Sequence, residues 1–159
     1  MRRKGQGKTM AKTNVLPNNL EAEQALLGCL LIDVDTQTDV LDKLTEDDFY
    51  QESHRLIIGA MKAVFNARKP VDLVTLADEL ENEKCLDKAG GITYITDLAK
   101  ITPSAANYKS YLEIVKRDSV TRRLIRASQK IIENAMEGAD SADSVAYAEK
   151  LVFDISKKM

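Results

Sequence analysis

The sequence has 159 residues, 44% of them hydrophobic and 30% charged, so it is long enough to bury a core and unlike a disordered chain. Five Tyr, three Phe and no Trp are too few for the stacked aromatic platform on which many proteins bind single-stranded nucleic acid. The net charge of −2 includes five cations in residues 1–13; the rest holds 18 basic and 25 acidic residues and should repel DNA phosphates.

Residues 1–14 form a basic arm that we expect to be disordered, with a native start at Met10. The run Gly5-Gln6-Gly7-Lys8-Thr9 resembles a nucleotide-binding phosphate loop only in part. Arg2 stands where that loop needs its first glycine, and no strand precedes it. We therefore predict no nucleotide site in the arm.

The sequence predicts neither a metal site nor a signal peptide or membrane-spanning segment. Cys29, Cys85 and the single histidine, His54, are too few for a structural zinc site, and Cys29 lies in an apolar run typical of a core. No apolar stretch follows the basic cluster as in a signal peptide, and none reaches the roughly 18 residues of a membrane span. We expect a cytoplasmic protein without cofactor or metal in these residues.

Helical periodicity covers the chain from Asn18 onward, and no stretch of two-residue alternation predicts a strand. Asn18 or Asn19 is suited to cap the first helix, and Lys69-Pro70, Gly90-Gly91 and Pro103 interrupt the pattern. The predicted helices before Pro103 are residues 20–32, 38–44, 52–67, 72–83 and 92–101, with a further start signal at Thr45.

A long uninterrupted helix is predicted from Ala105 to Met136, because this stretch has neither glycine nor proline. Gly138 ends it, and Asp140 or Ser141 can cap a last helix. That helix carries a heptad seam of Val145, Ala148, Val152 and Ile155. Two long helices joined by a short loop predict an antiparallel hairpin.

The first hairpin helix has more apolar surface than one neighbour can cover. One line comprises Val120, Leu124, Ala127, Ile131 and Ala135, and a second line beside it comprises Ile125, Ile132 and Met136. One line can face the returning helix, which leaves the other for another partner. Exposed apolar surface of this kind usually marks a protein contact.

Three polar features have simpler explanations than catalysis. His54 lacks the orienting partner and nucleophile of a general base, so we interpret it as a structural residue near its helix start. Glu46-Asp47-Asp48 lacks the ligand spacing of a calcium loop and suits a helix start. The cluster of Lys116, Arg117, Arg122, Arg123 and Arg126 fits either a solvated face or a partner-binding surface.

The order of segments resembles the DnaB family of replicative helicases in its N-terminal domain. The resemblance covers about residues 15–156 and rests on five segments in register. They are P17-N-N-L-E-A-E-Q-A-L-L-G-C-L-L-I32, L44-T-E-D-D-F-Y50 followed by His54, P70-V-D-L-V-T-L76, G90-G-I-T-Y-I95, and N107-Y-K-S-Y-L-E-I-V-K-R117 followed by Arg123.

The resemblance implies an all-α fold with a compact bundle of five to six helices over residues 15–103 and a helical hairpin for oligomerisation over residues 104–159. It implies pairing of hairpins into a trimer-of-dimers collar on a hexameric ring, docking of the primase C-terminal domain, and a helicase loader as a further candidate partner. The ATP- and Mg²⁺-binding motor of the family is a separate C-terminal domain that these residues do not include, so we expect no enzymatic activity from them.

Contact residues follow from chemistry rather than from family motifs. For the dimer we predict Leu124, Ile125, Ala127, Ile131, Ile132, Val145, Ala148, Val152 and Ile155. For primase we predict Tyr108, Tyr111, Lys116 and Arg117, where hairpin meets bundle. The alternative function is nucleic-acid binding through the basic arm and the Arg cluster; in the main hypothesis DNA is contacted only weakly or indirectly.

Overall fold

The computed structural model of the protein describes residues 15–138 and 140–159, and these residues form helices joined by turns and loops, with no strand among them. The predicted basic arm of residues 1–14 lies outside the described residues. The all-α class is confirmed, as is the final hairpin. The α-helices are α1 (Leu20–Ile32), α2 (Val34–Val40), α3 (Glu52–Asn66), α4 (Leu73–Asn82), α5 (Gly91–Lys100), α6 (Tyr108–Met136) and α7 (Ser141–Lys157).

Helix α1 begins as its sequence predicts. The Asn19 side chain accepts a hydrogen bond from the backbone N–H of Ala22, which satisfies one of the free donors of the first turn. The helix is buried along most of its length, so Cys29 is a core residue, as predicted. Its burial makes α1 the central helix of the bundle.

The second predicted helix, residues 38–44, is misplaced. Helix α2 starts at Val34 because Asp33 caps it, its carboxylate accepting from the N–H of Thr36. The chain then tightens into a 3₁₀ helix at Leu41–Lys43 and forms a second one at Glu46–Asp48, where Thr45 and Asp48 make a capping box. Sequence periodicity missed the start because Asp33 reads equally well as a loop residue.

The bundle core is made by packing of α1 on α5, α3 on α4, and the short helices on α1 and α3. Fully buried aliphatic side chains fill it, together with one phenylalanine and one methionine. The largest of them are Phe49, Leu26, Leu27, Leu30, Leu41, Leu44, Ile57, Ile58, Met61, Leu76 and Leu80.

The chain divides into two compact units. One comprises residues 19–119, and the other comprises residues 120–159 with the segment that ends at Asn18. Helix α6 starts at Tyr108, three residues later than predicted, because residues 105–107 form a turn after Pro103. The hairpin turn places Gly138 at φ 80°, where a side chain would be strained, and Asp140 caps α7 as predicted.

Candidate interaction surface

The inner seam of the hairpin mixes small, polar and bulky apolar side chains. Ala127 is buried, and Ile131 and Asn134 of α6 are half-buried. On α7 the half-buried positions include Ser144, Ala148, Leu151 and Ile155. The predicted α7 seam is therefore half wrong, because Val145 and Val152 are exposed and Ser144 and Leu151 take their places.

Six large apolar side chains of the two hairpin helices remain exposed to solvent, and Phe153 of α7, which is 62% exposed, lies apart from the other five. At 100° per residue, the α6 members lie beside or behind the seam, and the two α7 members share one side of α7. Neither helix covers them, so the hairpin has one apolar side, which we call the apolar flank. Its members, with their exposed fractions, are Leu124 (47%), Ile132 (62%), Met136 (82%), Val145 (58%) and Val152 (46%).

The other side of the hairpin is charged. Arg126, Lys130 and Lys150 are exposed there, and Lys150 pairs with Asp154 one turn later at 3.2 Å. Such pairs contribute little to stability and keep a surface solvated. The apolar flank is therefore suited to contact a protein partner, whereas the charged side of the hairpin is suited to remain in water.

The nine predicted dimer contacts differ in how far they are exposed to solvent. Four are exposed, namely Leu124, Ile132, Val145 and Val152, and four are half-buried, namely Ile125, Ile131, Ala148 and Ile155. Ala127 is 7% exposed, so it packs within the chain and contributes little surface to a partner. Met136 was not among the predicted contacts, although it is the most exposed member of the flank.

The four predicted primase contacts do not form one surface. Tyr108 and Arg117 are nine residues apart, which places them on opposite sides of α6. The Tyr108 hydroxyl donates to Asp39 at 2.6 Å, and this bond raises the pKa of Tyr108. Lys116 pairs with buried Asp48, whereas the Arg117 side chain is 63% exposed.

Tyr111 lies at a small polar groove of the bundle. The groove encloses about 230 Å³, and polar side chains form much of its wall. Tyr111 is half-buried there. The groove is lined by Glu21, Gln24, Ala25, Ile101, Thr102, Pro103, Ser104, Asn107 and Tyr111.

The Arg cluster is largely engaged in internal interactions. Arg122 is buried and its Nη1 donates to the carbonyl of Pro17 at 2.9 Å. Arg117 donates to neighbouring Asp118 at 3.1 Å, and Lys116 is held by Asp48. These contacts leave a smaller cationic surface than the sequence suggests.

A buried polar network that the sequence did not reveal joins α1, α3 and α5. The Glu23 carboxylate accepts from the backbone N–H groups of Tyr50 at 2.7 Å and Gln51 at 3.4 Å. It also lies 2.7 Å from Nδ1 of His54, whose Nε2 lies 2.6 Å from the Tyr94 hydroxyl. His54 is fully buried, and Glu23 supplies the orienting partner that His54 was expected to lack.

The network satisfies every one of its groups with a single proton arrangement. Gln24 Nε2 donates to the Tyr94 hydroxyl, which then donates to Nε2 of His54. Nδ1–H of His54 is then placed to donate to Glu23. The carboxylate and the imidazole are buried while Tyr94 and Gln24 are half-buried, so the network links three helices from the core to the edge of the bundle.

A second buried carboxylate, Asp48, fixes the start of α6 to the bundle. It accepts from Lys116 Nζ at 2.9 Å, Ser119 Oγ at 2.8 Å and the N–H of Thr45 at 2.9 Å. Burial raises the pKa of Asp48, but these donors outweigh it and hold the pKa below the ordinary value of 3.8. The acidic run was expected to mark a helix start, and Asp48 goes further by bonding a distant helix.

The bundle surface is acidic. Residues 19–119 contain 11 basic and 19 acidic side chains. Near the end of α4 a hydrogen bond with Glu79, together with burial and repulsion, raises the pKa of Glu83 to about 7. Carboxylates crowded in this way repel phosphate, so this unit does not suit a DNA-binding surface.

Among the described residues, no group of His, Cys, Asp or Glu is placed to hold a metal ion. Within the same residues, every helix is too short or too polar to cross a bilayer. The surface with the clearest physical character is thus the apolar flank.

Comparison with known proteins gives consistent results along the chain. The family model of the DnaB-like helicase N terminal domain matches residues 15–117. Replicative DNA helicase DnaC of Bacillus subtilis is 39% identical over 143 residues, which cover 89% of this chain and 32% of the relative. Replicative DNA helicase DnaB of Haemophilus influenzae is 33% identical over 157 residues, 98% of this chain and 34% of the relative. The chain therefore spans about a third of the length of these relatives.

Two solved structures share the fold. The N-terminal domain of DnaB helicase from Mycobacterium tuberculosis superposes with a TM-score of 0.83 at 33% identity, covering 89% of this chain and 99% of that one. A DnaB-like replicative helicase, described with its interactions with primase, gives a TM-score of 0.73 at 26% identity, covering 86% of this chain and 31% of that one.

Proposed function

The chain belongs to the family of DnaB-like helicase N-terminal domains, and on that basis we propose that it is the oligomerisation and docking domain of a replicative DNA helicase. In this proposal it performs no chemistry. ATP and Mg²⁺ act in a motor domain of the full-length helicase, in the cytoplasm, while these residues pair with other copies and receive primase during DNA replication.

The apolar flank carries the proposal of self-association. Five large apolar side chains lie on one side of a two-helix element, and an isologous dimer would bury this surface twice. Burial of roughly 800 Å² per partner is typical of a specific interface, and a hairpin side several turns long can supply much of it. Three such dimers would form the collar of a hexameric ring.

The test of self-association is Ile132→Asp, compared with Lys130→Gln. Each substitution lowers the net charge by one, but Ile132 lies on the apolar flank and Lys130 on the charged side. In an isologous dimer Ile132→Asp buries two unpaired carboxylates, so we expect the dimer dissociation constant to rise about 100-fold, equivalent to about 2.8 kcal/mol. Sedimentation equilibrium over a concentration range measures it.

Lys130→Gln should sediment like wild type, and the circular dichroism of both variants should stay helical. A wild-type chain that remains a folded monomer across high micromolar concentration would contradict self-association. Equal dissociation constants for the two variants would show that the apolar flank is not part of the dimer interface.

Primase is the second proposed partner. Support comes from the related DnaB-like helicase whose structure was described with its primase interactions. Arg117 is the most accessible of the predicted contacts, and arginine is enriched at protein interfaces. A helicase loader is a further candidate, for which no residue of this chain is singled out.

Calorimetric titration with the C-terminal domain of a cognate primase tests this docking. We expect measurable binding by the wild-type chain, and about tenfold weaker binding by Arg117→Ala, the usual effect of truncating a moderate interface residue. Lys109→Ala, which removes another exposed cation from α6, should leave binding unchanged. Absence of heat with the wild-type chain would refute the docking proposal.

Nucleic-acid binding remains the alternative. The internal contacts of Lys116, Arg117 and Arg122 and the acidic bundle weigh against it. It would require single-strand affinity that falls steeply with salt and disappears when residues 1–13 are deleted.

A further inference from the structure

A second exposed apolar surface of the hairpin lies on α7, apart from the apolar flank. Phe153 is two residues from both Leu151 and Ile155 of the seam, a rotation of about 200°, so its ring lies on the side of α7 that faces away from α6. Ala142 and Ala146 are exposed on the same side, within about 20° of Phe153 around the helix. A group of exposed apolar residues on one helix side is typical of a protein contact.

Two lysines flank Phe153 on this side of α7. Lys150 is one turn before Phe153 and Lys157 one turn after it, and Nζ of Lys157 lies 5.6 Å from the centre of the Phe153 ring. The Lys150 side chain remains 72% exposed although it pairs with Asp154. A partner for this side must therefore offer an apolar recess with negative charge around it. We call this side the basic-aromatic face; its members are Ala142, Ala146, Lys150, Phe153 and Lys157.

A groove on the bundle has this complementary chemistry. It runs along α3 and measures about 390 Å³, which is within the range of natural binding pockets. Leu56 contributes an apolar side chain to its lining, and Gly59 contributes no side chain that could fill it. We call it the acidic groove; it is lined by Glu46, Glu52, Arg55, Leu56, Gly59 and Glu83.

The carboxylates of the acidic groove are not neutralised within the described part of the chain. No salt bridge there involves Glu46, Glu52 or Glu83. Nη1 of Arg55 donates instead to two backbone carbonyls. A hydrogen bond with Glu79, together with burial and repulsion, raises the pKa of Glu83 to about 7. A cation brought in by a partner would relieve this repulsion.

We propose that the basic-aromatic face of one copy docks in the acidic groove of another copy. Phe153 enters the groove beside Leu56, and Lys150 and Lys157 pair with its carboxylates. The inference rests on the proposed function, because an isologous contact through the apolar flank closes with two copies. Joining such dimers into a ring requires a second contact elsewhere on each copy, and these two surfaces of opposite charge supply it.

Photocross-linking between copies locates the contact. Phe153→p-benzoylphenylalanine keeps an aromatic ring at the centre of the face, and this chain is mixed at high micromolar concentration with isotope-labelled wild type. We expect cross-links to the isotope-labelled copy at the residues that line the acidic groove, identified by mass spectrometry. The same replacement at Val74, which is 77% exposed on the bundle, is the control and should give no preferred cross-link.

Charge reversal tests the pairing of lysines with carboxylates. Lys150→Glu with Lys157→Glu in the cross-linking copy sets like charges against the groove and should lower the cross-link yield about tenfold. Glu46→Lys with Glu83→Lys in the isotope-labelled copy should restore it, because opposite charges face each other again. A loss of folding would not be rescued in this way.

The control for charge reversal is Lys69→Glu with Lys130→Glu. It changes the net charge equally at two exposed lysines outside both surfaces, so the cross-link yield should stay at the wild-type value. Circular dichroism should remain helical for every variant.

Cross-links formed only within one chain, or only to residues outside the acidic groove, would overturn the inference, as would charge reversals without rescue. The cross-link reports its own contact, so it is separable from the dimer. If Ile132→Asp leaves association unchanged while the groove cross-links follow the charges, the flank dimer fails and the second contact stands. If Ile132→Asp dissociates the dimer and no groove cross-link forms, the dimer stands and the second contact fails.

Discussion

Glu23→Ala should destabilise the bundle by about 3–5 kcal/mol, because it removes a buried acceptor and leaves three donors unpaired. Those donors are the N–H groups of Tyr50 and Gln51 and the imidazole of His54. Domains of this kind have a free energy of unfolding of about 5–15 kcal/mol, so the loss is a large fraction of the total. Urea denaturation followed by circular dichroism measures it.

Glu21→Ala is the matched control. Both glutamates lie in the first turn of α1 and interact alike with the helix dipole, but Glu21 is exposed. Its loss should cost less than about 1 kcal/mol. Glu23→Gln keeps one amide oxygen as an acceptor, so its loss of unfolding free energy should lie between those of the two alanine variants. It provides a measurable value if Glu23→Ala does not fold. Equal stability of Glu21→Ala and Glu23→Ala would show that the network contributes nothing.

Asp48→Ala is expected to cost about 3 kcal/mol, the lower end of the range for breaking a buried ion pair. The lower end applies because the Lys116 side chain is 35% exposed and can regain water once Asp48 is gone. Ser119 Oγ and the N–H of Thr45 also lose their acceptor. Thermal and urea unfolding should both report the loss, and Asp42→Ala, which truncates an exposed aspartate, should cost far less.

The contribution of Asp48 should depend on pH in a defined direction. Its folded pKa is lowered from 3.8, so the unfolded chain takes up the proton first as the pH falls. The stabilisation is therefore complete well above pH 3.8 and is lost as the pH falls through the lower folded pKa. The difference in unfolding free energy between wild type and Asp48→Asn should shrink over that acidic interval, and a constant difference would contradict this assignment.

Most of the architecture could be predicted because helix starts, breaks and stripes are local features. Asn19 caps α1, Asp72 caps α4 and Gly138 ends the hairpin turn, each within a few residues of its effect. Prediction failed at α2, where Asp33 could be read as loop or cap. It also failed for the α7 seam, where Val145 and Ser144 compete for the same turn and apolarity favoured the wrong one.

The candidate surface was only partly predictable. Excess apolar residues on α6 indicated that some would remain exposed, and Leu124 and Ile132 do. Composition could not separate Lys116, which pairs with a buried carboxylate, from Arg117, which faces solvent, since the two cations are adjacent in sequence. Apart from Thr45, the partners of Glu23 and Asp48 lie 27 to 71 residues away, so no local pattern reveals them.

By itself the sequence determined the all-helical class, the final hairpin and the resemblance to the replicative helicases. Periodicity, helix caps and the order of motifs all depend on residues that are close together in the sequence or follow one another along it. The tertiary structure alone decided which apolar side chains stay uncovered and which charges are neutralised inside. Those properties depend on distances between residues far apart in the chain, and only the folded backbone fixes such distances.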